Sequence, residues 1–84
     1  MAKSIADPLV KVGEAYITRT AYRLRIRQAR DRLRDLGISL AWVARQIGRS
    51  QGHVSNVLNG AVDGPPTLLL VEELIEKVEA EVLR

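Results

Sequence analysis

Two short amphipathic stretches with only two residues between them constrain this chain more than any other feature. Ser39 precedes Leu40–Ile47, and Ser50 precedes Gln51–Leu58. A serine ahead of an apolar-periodic run is an N-cap, its hydroxyl accepting from an amide that has no partner in the first turn. Leu40, Val43, Ala44 and Ile47 fall at i, i+3, i+4 and i+7, one buried face of a helix. Val54, Val57 and Leu58 form the inward face of the second stretch. Gly48 and Arg49 alone connect them, so the chain must bend sharply there, and Gly48 supplies the positive φ that the bend requires. Ala44 is the small residue where the helices cross, Val54 fills the space between them, and Asn59-Gly60 ends the pair.

The flanks read less evenly. Tyr22, Ile26, Ala29, Leu33 and Leu36 cluster within about 80° at 100° per residue, which predicts a helix over 19–36. Thr18 or Thr20 caps it, and Gly37 stops it. Arg19, Arg23, Arg27, Arg30 and Arg34 form a stripe beside its apolar face. Pro65, Pro66 and Thr67 open a last helix to about Leu83, with Leu68, Val71, Leu74, Ile75, Val78 and Val82 on its apolar face. Its glutamates, Glu72, Glu76 and Glu79 among them, read as a solvated side. Residues 1–18 fit neither period. Asp7-Pro8 suits a helix start, Gly13 weakens a helix and the YITRT segment has some β character, so this part is expected to be an arm or a short helix. AVDGPP is a loop. The expected fold is therefore all-α, a small helix bundle in three parts: the arm 1–18, a core 19–64, and a C-terminal amphipathic helix 65–84.

Composition narrows the chemistry. The chain has 84 residues and no cysteine, which excludes disulfides, thiol nucleophiles and cysteine zinc sites. One histidine gives no basis for a metal centre, no glycine-rich loop follows a strand, and no Ser-His-Asp arrangement presents itself, so no enzyme activity and no cofactor are expected. No apolar run approaches the roughly 20 residues of a membrane span. The start MAKSIADPLVKVG lacks the apolar core of a signal peptide, so a cytoplasmic protein without membrane or small-molecule partners is expected. The net charge of +3 is unevenly spread. Residues 1–37 carry +5 and residues 65–84 carry −3. Such a dipolar chain either meets a polyanion at its basic end or salt-bridges its own surface.

The spacing of the central pair is that of a helix-turn-helix, whose second helix enters the DNA major groove. SLAWVARQIGRSQGHVSNVLNG resembles the helix-turn-helix of the phage Cro/repressor-like family of transcriptional regulators. The resemblance runs from about Arg32 to Gly60. It rests on Leu36-Gly37-Ile38, Ala44, Gly48, Ser50-Gln51, Val54 and Asn59-Gly60. Residues 1–18 and 65–84 lie outside it. The chain departs from the family where a phosphate-touching glutamine is often found, here Leu40. It departs again where an arginine and a glutamate often pair, here Leu33 and Leu58, which points to an apolar contact in their place.

The resemblance implies a base contact for Gln51, whose amide can bond adenine N6 and N7 together. Asn56 can read adenine in the same way. His53 touches a base or a phosphate, or is merely solvated. Gly52, costly inside a helix, either lets the helix approach the groove or has no role, and Ser55 shares the exposed side. Arg45, Arg49, Ser50 and Asn59 flank this helix as phosphate contacts, which position without specifying sequence. Trp42 belongs to the core or its rim. A sequence-specific regulator of double-stranded DNA, a repressor of phage or mobile-element type, is the expected function. An antitoxin-like or adaptor module working through the last helix is the alternative. Regulators of this family usually bind as two-fold dimers on near-palindromic operators. Leu68, Val71, Leu74, Ile75, Val78 and Val82 are the expected homodimer seam, unless that stripe packs inward.

Overall fold

The computed structural model describes residues 7–83. It contains a two-stranded antiparallel hairpin, β1 (Leu9–Val12) and β2 (Ala15–Thr18), followed by α1 (Arg19–Asp35), α2 (Leu40–Ile47), α3 (Gln51–Leu58) and α4 (Pro65–Val82). The fold is mostly helical but not strictly all-α. The arm or short helix expected at 1–18 is corrected from Asp7 onward; residues 1–6 lie outside the described residues. Val12 pairs with Ala15 across the two-residue loop Gly13-Glu14, and Gly13 takes φ +63°. Positive φ at the first loop position matches the right-handed twist of the flanking strands. Alternation then decides the faces: Val10 and Val12 are buried, while Leu9 and Lys11 are exposed.

Asp7 does cap a helix, though not one starting at Pro8. Its carboxylate accepts from the Thr20 amide at 3.2 Å, and the Arg19 amide donates to the Pro8 carbonyl at 2.8 Å. With the Thr18 hydroxyl accepting from the Ala21 amide at 3.0 Å, three amides at the start of α1 are satisfied.

Tyr22, Ile26, Ala29 and Leu33 of α1 meet Val43 and Ala44 of α2, Val54 and Leu58 of α3, and Leu68, Val71 and Ile75 of α4 in one buried cluster. Trp42 packs at its edge, half-buried. Leu33 and Leu58, which stand where the resembling family has an ion pair, both lie in this core. Replacing a buried ion pair with apolar surface removes the desolvation cost of two charges.

The glutamates of α4 do not form a merely solvated side. Arg25 holds Glu72 in a two-pronged fork, Nε to Oε2 at 2.9 Å with a second bond from Nη2 to Oε1. Arg32 holds Glu79 in the same way, at 3.0 and 2.5 Å. Both pairs are 47 residues apart in sequence. An equal offset seven residues further on means that α1 and α4 run in the same direction, clasped by two rungs. A third pair, Arg19–Asp63 at 2.6 Å, ties the α3–α4 loop to the start of α1.

These partners predict an acid limb. Asp7 is held below the ordinary carboxylate range by its bond to Thr20, Asp63 by Arg19 and Glu79 by Arg32. A depressed folded-state pKa contributes stability that is fully present above the unfolded value and lost as pH falls through the folded one. The melting temperature should be flat from about pH 7 to 5 and drop below about pH 4. Asp63→Asn with Glu79→Gln should make that drop shallower. An acid limb identical in the variant and the wild type would show that these pairs do not govern it.

Candidate nucleic-acid interface

The α2–α3 pair is built by local chemistry. The Ser39 hydroxyl accepts from the Trp42 amide at 3.2 Å, and the Ser50 hydroxyl accepts from the His53 amide at 3.1 Å. Gly48 closes α2 at φ +71°, with its amide bonded to the Ala44 carbonyl. Val54, Val57 and Leu58 are completely buried, so α3 is anchored along one side. The opposite side is thereby turned to solvent, and Gln51, Gly52, Asn56 and Asn59 are all exposed there.

Gly52 has no reason within the chain to be glycine. It does not take a positive φ, and a Cβ built on it would meet nothing within 4 Å. A helix interior that accepts the cost of glycine without an internal need presents bare backbone outward.

Two of the expected contact residues are engaged with each other. The Asn59 side-chain amide lies 3.3 Å from the Ser55 hydroxyl, which it reaches as donor. This bond holds Asn59 along the helix and leaves its carbonyl oxygen and second N–H available. His53 is corrected more sharply. It is half-buried, and its Nε2 sits 2.8 Å from the Thr67 hydroxyl in the first turn of α4. Thr67 is only 2% exposed, so the imidazole satisfies a polar group inside the fold. His53 therefore joins α3 to α4 and does not belong to the outward row.

Arg45 and Arg49, near the N-terminal end of α3, are exposed and take part in none of the ion pairs among the described residues. At the other end of α3 lies part of the α1 arginine stripe, whose place beside α3 the sequence did not indicate. Arg23, Arg27 and Arg30 line a shallow cleft with Leu58, Asn59 and Gly60. The Arg30 guanidinium donates to the Leu58 carbonyl at 3.2 Å. Arg25 and Arg32 repeat at seven residues, as do Glu72 and Glu79, but Arg23 and Arg30 share that interval, so only the ion pairs of the folded chain separate the two sets.

The expected dimer seam is divided. Leu68, Val71 and Ile75 are 0% exposed within the chain's own core, and this corrects their assignment to a partner surface. Leu74 and Val78 are half-buried, and Val82 is exposed. No helix among the described residues is long and apolar enough to cross a membrane, and no cluster of His, Asp or Glu among them is arranged to hold a metal ion. Comparison with protein-family models, with curated proteins and with solved structures returned no match to this chain.

Proposed function

We propose that this protein binds double-stranded DNA with sequence preference, laying α3 in the major groove, and acts as a transcriptional regulator of the repressor type. One observation carries the reading. The outward side of α3 presents two amide side chains, Gln51 and Asn56, across a stretch of bare backbone at Gly52, with Arg45 and Arg49 alongside. Amide side chains can pair with base edges, and arginines neutralise phosphates. Ser50 retains its hydroxyl hydrogen for a phosphate after accepting the His53 amide. The likeness of residues 32–60 to Cro/repressor-like regulators supports the regulatory role. A homodimer on a near-palindromic operator fits the same reading, with Leu74, Val78 and Val82 as the part of α4 left for a second copy. An adaptor role through α4 has less to stand on, since half of its apolar seam lies inside the fold.

Selection of bound duplexes from a random pool tests this. Binding should weaken steeply with salt as phosphate contacts release counterions. The selected sites should share one two-fold symmetric sequence. Failure to retain any duplex, or retention that is indifferent to ionic strength, would remove the DNA reading. An asymmetric site bound by one copy would remove the dimer alone.

A further inference from the structure

We infer that the cleft between α1 and the C-terminal end of α3 is a second grip on the DNA backbone. Arg23, Arg27 and Arg30 would hold phosphates on the far wall of the groove from Arg45 and Arg49. The inference rests on the proposed insertion of α3 into duplex DNA.

Four observations lead to it. First, α1 sorts its arginines. Arg25 and Arg32 are occupied by Glu72 and Glu79, whereas Arg23, Arg27 and Arg30 converge on the cleft, and none of these three forms an ion pair within 4 Å. Second, no carboxylate lines the cleft. Asp7 and Asp63 lie close enough to Arg23 to feel its charge, but Asp7 is bonded to the Thr20 amide and Asp63 to Arg19. Like charges four residues apart on a helix repel, so Arg23 and Arg27 carry a cost that a bound phosphate offsets.

Third, Arg30 is already positioned. Its bond to the Leu58 carbonyl uses one of five guanidinium donors and covers a helix-end oxygen that would otherwise repel an anion. The cleft is open to solvent, which suits a phosphate on a passing strand better than an enclosed small molecule. Fourth, the spacing fits. The eight residues of α3 span about 12 Å at 1.5 Å each, and the major groove is about 12 Å wide. With α3 set across the groove, basic groups at its two ends fall near both groove walls.

The test is the salt dependence of binding to a fluorescein-labelled random-sequence duplex, using the full chain. It compares the wild type, Arg23→Gln/Arg27→Gln, and the charge-matched control Lys11→Gln/Lys77→Gln. Two lost phosphate contacts should reduce the slope of log K against log salt by about 1.8, and the control should keep the wild-type slope. Arg23 and Arg27 are exposed and unpaired, so the variant should melt near the wild type. If it does not, Arg27→Gln alone should still reduce the slope by about 0.9. Equal slopes for wild type and Arg23→Gln/Arg27→Gln, or an equal loss in the control, overturn the cleft while the α3 reading stands. A wild type that binds no duplex removes both.

Discussion

Replacing Tyr22 with alanine is expected to cost about 3–5 kcal/mol of folding stability, the range for emptying a large buried aromatic site. Tyr22 is 1% exposed, and its ring sits among the apolar residues of all four helices. Its hydroxyl accepts from the Gly64 amide at 2.9 Å, a bond spanning 42 residues that pins the loop before α4. That loop lies tight against α3, since a Cβ at Gly64 would come within 2.5 Å of Val57 Cγ2. The Arg19 guanidinium lies 5.7 Å from the ring centroid and adds a cation–π contact. Tyr22→Phe isolates the hydrogen bond. It leaves the shape and strands a buried amide, for about 1–3 kcal/mol. A domain of this size has only about 4–13 kcal/mol in total at the usual stability per residue, so Tyr22→Ala should remove from about a quarter to all of it. Urea unfolding measures both variants. A phenylalanine variant as stable as the wild type would show that the Gly64 amide finds another acceptor.

Much of the architecture that holds α3 was legible in the sequence because it is local. The capping serines, the stop at Gly48 and the limits of α2 and α3 follow from interactions within four residues, and the structure reproduces them. The hairpin was not legible. Val10 and Val12 alternate over only four residues, and Gly13-Glu14 lacks the Asn-Gly or Asp-Gly signature of a tight turn. The stripe on α4 was legible as a face but not as a division of labour. Periodicity places Leu68, Val71, Ile75, Val78 and Val82 on one side, but only the neighbouring helices determine that burial is complete at the first three and lost by Val82. The charges misled for the same reason. Glu72 and Glu79 look solvated until α1 is brought alongside, and His53 looks outward until Thr67 is brought beneath it. The hairpin strands are too short to show their period, and the Asp7–Thr20 cap, the His53–Thr67 bond and the α1–α4 ion pairs each join residues at least 13 apart in sequence.

The outward side of α3 leads to the second large effect, in recognition. With α3 in the major groove, Gln51 and Asn56 are its two side chains able to bond adenine N6 and N7 together. Gln51→Ala and Asn56→Ala should each weaken binding to the selected site by about 1–3 kcal/mol, or roughly 5- to 150-fold. Random duplex should be bound nearly as before, because phosphates carry that binding. The two residues are more than a turn apart, so the double variant should lose nearly the product of the single losses and approach the affinity for random DNA. Neither side chain is buried, so both variants should melt with the wild type. Arg45→Ala and Arg49→Ala should differ in kind, weakening every sequence alike and reducing the salt slope by about 0.9 each. Competition binding on the selected and random duplexes reads all four. Amide variants that lose selected and random DNA in equal proportion would mean that Gln51 and Asn56 do not read bases. Base choice would then have to come from DNA shape, read through the arginines at the two ends of α3.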